Sequence, residues 1–116
     1  PNMTEDDRVG LIADRMTKGI RILREKSQAP ILLVEHDGYM GYRVSDAERS
    51  RFEKTNEQLR LCYQELKQKG DGLYYMTFEE LGLSMDSQVD GVHATDLGMF
   101  QYAEAYSRKI AKILFP

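Results

Sequence analysis

A chain of 116 residues is long enough for one compact domain with a modest hydrophobic core. Charged residues of both signs make up 30% of it and leave a net charge of −3, which argues against nucleic acid as a partner. Apolar runs are short, so no membrane span is predicted, and the single cysteine excludes a disulfide framework.

The first half of the chain predicts a helix, a buried strand and a second helix. Thr4 and the acids after it are typical of a helix start, and apolar residues at helical spacing then predict one helix of roughly twenty residues. These apolar residues are Val9, Ile12, Met16, Ile20 and Leu23. The apolar run Ile31–Val34 predicts a strand covered on both faces. Residues 45–48 read Ser-Asp-Ala-Glu, a capping box that begins a helix extending to Gly70.

The second half continues the same alternation. Leu73–Met76 predicts a second buried strand, and a short helix is expected to begin at Thr77. A polar loop from about Ser84 to Ala94 follows, and Thr95 is expected to cap a final helix. We expect one stripe of that helix to pack into the core; its members are Met99, Tyr102, Ala103, Tyr106, Ile110 and Ile113.

This order of elements predicts an α/β fold with a parallel sheet, because the helices are long enough to serve as crossover connections. The expected architecture is a three-layer α/β/α, flavodoxin-like sandwich. Two strands alone do not make a stable sheet, so we expect further strands from an upstream part of the same domain or from a partner chain. The sequence opens with Pro1 and not with methionine, which indicates a piece of a longer chain. No linker interrupts residues 1–116, which we interpret as one piece of one domain.

The stretch Asp-Gly-Val-His-Ala-Thr-Asp-Leu-Gly, residues 90–98, lies just before the final helix. In open α/β sheets, loops at the carboxyl ends of strands hold the ligands. A histidine that acts as a base needs an acid to fix its tautomer, and Asp90 could reach the Nδ1 atom of His93 if Gly91 allows a tight turn. The competing interpretation is a pair of polar loop residues ahead of a helix cap.

The sequence of residues 90–106, DGVHATDLGMFQYAEAY, resembles the last conserved block of the SGNH (GDSL-like) serine esterases and acetylhydrolases. The resemblance implies that Asp90 is the catalytic acid and His93 the catalytic base, with Ala94 in place of the usual proline. It extends backward to Asn2, which stands where the family has an asparagine that helps to form the oxyanion hole. On this resemblance, residues 1–116 are the C-terminal portion of a single SGNH-hydrolase-like domain.

The same resemblance implies that the nucleophile is outside this sequence. The family serine lies in a Gly-Asp-Ser-like block near the start of the domain, and the six serines present here lack that context. The expected activity is hydrolysis of an ester or acetyl group on a small molecule or carbohydrate, without a cofactor. The chain alone is expected to be inactive, because a base without its serine has nothing to activate.

His36 is the other histidine, and it follows the first predicted strand directly. One interpretation gives it a substrate-binding role in the cleft, and the other makes it a loop histidine bonded to backbone. A metal site is not favoured, because the spacing does not show three convergent ligands. Two alternatives to an active esterase stay open: a non-catalytic α/β binding or interaction module, and an esterase relative that has lost its nucleophile.

Overall fold

Helices and strands alternate in the computed structural model, which describes residue 4, residues 6–70 and residues 72–116. The helices of this part are α1 (Asp6–Val9), α2 (Ile12–Arg24), α3 (Asp46–Lys67), α4 (Phe78–Leu81) and α5 (Asp96–Leu114), and the strands are β1 (Ile31–Val34) and β2 (Leu73–Met76). Short 3₁₀ turns cover Met40–Arg43 and Met85–Ser87. None of the helices described is long and apolar enough to cross a membrane.

The two strands pair in parallel, with Ile31 opposite Leu73 and Val34 opposite Met76. Successive side chains of a strand point to opposite faces, so each strand supplies two cores. On one face, Leu33 packs with residues of α2 and α3. On the other, Met76 packs with residues of α4 and α5. The predicted α/β class, parallel sheet and three-layer arrangement are therefore confirmed.

A buried carboxylate ties the elements together where β1 ends. The side chain of Glu35 is only 1% exposed, and its oxygens accept hydrogen bonds from the Arg60 guanidinium (2.6 Å), the Tyr75 hydroxyl (2.7 Å) and the Phe78 backbone N–H (2.7 Å). A buried carboxylate without such donors would cost several kcal/mol. Burial, together with the bond to Glu35, raises the pKa of Tyr75, so its hydroxyl keeps the proton that it donates. Glu35 thus joins β1 to α3, β2 and α4.

The predicted single N-terminal helix is wrong, because the chain breaks between α1 and α2. The break falls at Gly10 and Leu11, where the Leu11 N–H bonds to the Arg8 carbonyl in a tight turn. Glycine is a poor helix former, so it makes this interruption inexpensive. The apolar stripe is kept across the break: Val9 of α1 and Ile12 of α2 pack in the same cluster beside α3, while Leu11 stays exposed.

The expected core stripe of α5 is also only partly correct. Tyr102 and Tyr106 are half-buried and pack against the core, but Met99, Ala103 and Ile110 are exposed, and the buried positions of the helix are Gly98 and Ala105. The helix has little to cover, because the sheet of the described residues has two strands. Helix periodicity correctly predicted the element, but the orientation of its buried face depends on which strands lie beneath it.

The helix caps agree with the sequence-based predictions more closely than the first helix and the α5 stripe do. The hydroxyl of Ser45 accepts a hydrogen bond from the Glu48 N–H, and that of Thr95 accepts one from the Gly98 N–H. Of the capping box predicted at residues 45–48, the described contacts include only the Ser45 half. The reciprocal capping box is found at α4, where Thr77 and Glu80 bond to one another's backbone N–H groups. These contacts satisfy donors that every helix start leaves free, and they fix where α3, α4 and α5 begin.

We expect opposite effects on stability from adding a methyl group at two helical glycines. A Cβ on Gly98 would collide with the Ser87 carbonyl oxygen, so Gly98→Ala should lower the free energy of unfolding by about 1–3 kcal/mol. Gly19 in α2 has no atom within 4 Å of such a Cβ, so Gly19→Ala should raise it by about 0.5–1 kcal/mol. Urea unfolding measures the free energy of unfolding of each variant. If both substitutions changed it by the same amount and in the same direction, the close packing at Gly98 would be contradicted.

Candidate active site

The loop that carries Asp90 and His93 is closed by its own backbone. We call residues 88–94 the Asp–His loop; Gln88 and Ala94 form an antiparallel bridge at its base, and the Val89 N–H bonds to the His93 carbonyl at 2.8 Å. The predicted polar loop is therefore a small hairpin-like structure. Directly after it, the Thr95 N–H bonds to the Ser87 carbonyl at 2.8 Å. These bonds fix the loop at the start of α5.

The structure brings Asp90 and His93 together. The Asp90 Oδ2 atom lies 2.7 Å from the His93 Nδ1 atom, while Oδ1 accepts the backbone N–H groups of Val92 at 3.0 Å and His93 at 2.8 Å. Gly91 lies between them with φ of +84°, a conformation that glycine adopts at little cost. The spacing of three thus lets the carboxylate turn back onto the histidine ring, as the sequence predicts.

The charge distribution of this pair suits a base and its orienting acid. The backbone N–H of His93, then its ring, then the N–H of Val92 lower the pKa of Asp90, so the carboxylate stays ionised. An ionised carboxylate beside Nδ1 favours the tautomer with the proton on Nδ1 and a free lone pair on Nε2. The side chains are 77% exposed for His93 and 54% for Asp90. Contacts between exposed charged side chains contribute little to stability.

The Asp–His loop rests on the segment that follows β1. The Met40 N–H is shared between the Gly91 carbonyl and the Gln88 Oε1 atom, both at 3.1 Å. The Gln88 side-chain nitrogen donates to the Gly38 carbonyl at 3.0 Å. These contacts place the loop at the carboxyl end of the parallel sheet, which is the side where α/β folds hold their ligands.

Asp37 belongs to the same contact region. Its Oδ2 atom accepts a hydrogen bond from the Tyr102 hydroxyl and a longer one, 3.4 Å, from Gln88. Burial, then the bond to Asp37, raises the pKa of Tyr102, so the hydroxyl remains a donor. The sequence offered no signal for Gln88, because a glutamine in a polar loop is ordinary until its burial is known.

His36 is held rigidly in the segment after β1. Its N–H and carbonyl bond to the Asn56 side chain at 2.7 and 3.1 Å, and its Nδ1 atom accepts the Gly38 N–H at 2.9 Å. The Nε2 atom therefore carries the proton, and it is buried without a hydrogen-bond partner among the described residues. Burial lowers the pKa of His36, although the charge of Asp37 acts in the opposite direction.

Of the other predicted site residues, His36 makes its described hydrogen bonds with Asn56 and Gly38 and not with Asp90 or His93. Asn2 lies outside the described residues. Within the part of the chain that the structure describes, the His93 ring bonds to Asp90 and to no serine. Ser84 and Ser87 instead bond to each other and to Gln101. No group of three or more His, Cys, Asp or Glu side chains there is placed to hold a metal ion.

Comparison with known proteins gives two matches of different kinds. Residues 1–111 match the GDSL-like lipase/acylhydrolase family. Among solved structures, the chain is similar to that of a Bacteroides ovatus ATCC 8483 protein assigned as a GDSL-like lipase, determined at 1.40 Å, with 27% identity and a TM-score of 0.79. The match covers 91% of this chain and 32% of the other, so the chain spans about a third of that protein's length. No curated protein matches.

We expect the pKa of Asp90 to lie below its ordinary value in the wild type and to stay depressed in His93→Ala. The variant removes one donor, the ring, but keeps the backbone N–H groups of Val92 and residue 93 on Oδ1. As pH falls through the ordinary aspartate range, the wild-type carboxylate should stay ionised, and its stabilising contacts should be lost only at more acidic pH. Carbon-13 NMR of the carboxyl group measures this, and an ordinary pKa in either protein would contradict it.

Proposed function

Because this chain belongs to the GDSL-like lipase/acylhydrolase family, we propose that the protein is a serine-type hydrolase that cleaves ester or acetyl groups. One observation carries the proposal, the 2.7 Å contact between the Asp90 carboxylate and the His93 Nδ1 atom at the carboxyl end of the sheet. The contact orients the ring and leaves Nε2 free to take a proton. The proposed substrates are esters of small molecules or carbohydrates.

In the proposed reaction, a serine outside this chain attacks the acyl carbon while the His93 Nε2 atom accepts its proton. Asp90 stabilises the imidazolium ion that forms. The tetrahedral intermediate then collapses, and His93 returns the proton to the leaving alcohol, which leaves an acyl-enzyme. Water, deprotonated by His93, hydrolyses the acyl-enzyme. We propose Asn2 as one donor to the oxyanion.

We also propose that a further strand, from an upstream part of the same domain or from a partner chain, completes the sheet and delivers the serine. In the described residues β1 pairs only with β2, so its other edge has free backbone groups. A cavity of about 210 Å³, lined by Ile12, Met16 and Leu59, lies on one side of Val34. A cavity of about 470 Å³, lined in part by Leu81 and Tyr102, lies on its other side. Both faces support the addition of a strand at this edge.

His36 is the proposed substrate-binding residue of this chain. Its Nε2–H is a donor without an acceptor among the described residues, and a buried donor left in that state costs about 1–3 kcal/mol. An ester oxygen of a bound substrate that accepts this N–H would satisfy it. Because burial lowers the pKa of His36, the ring would bind as a neutral donor at neutral pH.

We expect a fluorophosphonate probe to label one serine of the full-length protein, upstream of Pro1, and His93→Ala to reduce the labelling rate by roughly 10³-fold or more. Asp90→Asn should also reduce it strongly, because the ring loses its orienting carboxylate. The matched control is Asp96→Asn, which removes a nearby acid in the first turn of α5, whereas the described hydrogen bond of the His93 ring is to Asp90. Mass spectrometry identifies the modified residue and its rate.

The outcomes of this labelling experiment separate the candidate functions. Labelling that depends on His93 and Asp90 but not on Asp96 supports a serine hydrolase. A folded, full-length wild type that takes up no label would overturn the proposal and favour the non-catalytic α/β module. Equal rates in Asp90→Asn and Asp96→Asn would remove the orienting role from Asp90.

We expect His36→Asn to raise the KM for p-nitrophenyl acetate about tenfold while changing kcat less, since one hydrogen bond to the substrate is lost. The asparagine oxygen can still accept the Gly38 N–H, so the local backbone should be preserved. His36→Gln, whose amide nitrogen extends as far as Nε2, is the matched control and should restore KM. An unchanged KM in His36→Asn would remove His36 from the substrate site.

A further inference from the structure

The Asp90–His93 pair does not determine its own position in the molecule. Both side chains are more than half exposed, and the contact between them is internal to the Asp–His loop. A general base must come within about 2.6–3.2 Å of the proton that it removes. A displacement of about 1 Å can cost about 10²-fold in rate. The position of Nε2 must therefore be set by whatever holds the backbone of the loop.

We propose that Gln88 is the positioning residue for His93, a role that rests on the proposed hydrolase function. Its side chain lies at the base of the Asp–His loop, and the residue is 8% exposed. The amide oxygen accepts the Met40 N–H at 3.1 Å, and the amide nitrogen donates to the Gly38 carbonyl at 3.0 Å. Gln88 therefore makes two backbone contacts across 48 and 50 residues of sequence.

Asp37 extends this link to the helix that follows the loop. Its Oδ2 atom accepts from Gln88, which begins the loop, and from Tyr102, which lies in the second turn of α5. One carboxylate thus connects the base of the Asp–His loop to α5.

The segment that receives these bonds is itself immobilised by packing. Gly38 has φ of +80°, and a Cβ there would lie 2.8 Å from a ring carbon of Phe78. Tyr39 and Met40 are buried, and Tyr39 lies edge-on to the Phe52 ring. Buried, close-packed side chains resist displacement. Gln88 therefore couples the exposed loop to a rigid part of the fold.

Glutamine is the residue type that these contacts require. Its amide supplies an acceptor for the Met40 N–H and a donor for the Gly38 carbonyl in one planar group. Glutamate has the same size but lacks the donor and would place a second negative charge beside Asp37. Methionine has a similar length and offers neither strong group. Glutamate therefore removes the donor half of the contact, and methionine removes both halves.

The test uses the full-length protein with Gln88→Met and Gln88→Glu. For both variants we expect kcat for p-nitrophenyl acetate to fall at least tenfold, with KM within about threefold, because the base is displaced and the substrate contacts are retained. Fluorophosphonate labelling should slow by a similar factor. A purely structural role would lower the melting temperature and leave kcat of the folded protein unchanged.

Gln101→Met is the matched control. This half-buried glutamine of α5 bonds to Ser84 and Ser87 and makes no described contact with residues 37–40. We expect it to lower the melting temperature by a similar amount while kcat changes much less. If Gln101→Met lowers kcat as strongly as Gln88→Met does, the positioning role is overturned.

The remaining outcomes distinguish this inference from the proposed function. A wild type that takes up no fluorophosphonate would overturn both. Normal labelling of the wild type together with a wild-type rate in Gln88→Met would overturn the positioning role alone. A measurement on the wild type requires no folded variant: amide hydrogen exchange at Met40 should be slow, and rapid exchange there would show that the loop is not held.

Discussion

The rest of the structure depends on the hydrogen bonds that the buried carboxylate of Glu35 accepts. Parallel pairing brings β1 and β2 together, but Glu35 determines how the chain leaves the sheet, because donors from α3, β2 and α4 converge on it. The next residues, 36–40, start from this fixed point and receive the Asp–His loop. The geometry of the candidate active site is therefore determined first by one satisfied buried charge and then by the backbone bonds that follow.

Patterns that act over a few residues could be predicted from the sequence. Ile31–Val34 and Leu73–Met76 are strands because short apolar runs suit a sheet covered on both faces. Thr77 and Thr95 cap helices because their hydroxyls accept nearby N–H groups. The contact of Asp90 with His93 belongs to the same class, since a turn at Gly91 brings together residues three positions apart.

Features that depend on distant parts of the chain could not be predicted in this way. The break at Gly10 leaves Val9 and Ile12 in one core cluster, so the apolar pattern is the same with and without the break and does not reveal it. Part of the predicted α5 stripe is exposed because the buried face of a helix depends on the strands that it packs against. Gln88 gives no local signal, since its partners are about fifty residues away. In each case the deciding free energy belongs to tertiary contacts that single-sequence patterns do not encode.

The self-closed Asp–His loop has a consequence for when its geometry is formed. Its bridge, its turn and its anchors on residues 37–40 all come from within this chain, so the contact between Asp90 and His93 depends on no further segment. A group that docks beside the loop would meet a preformed carboxylate–imidazole contact. The entropy of ordering the loop is then lost when this chain folds and not when a further segment or a ligand binds.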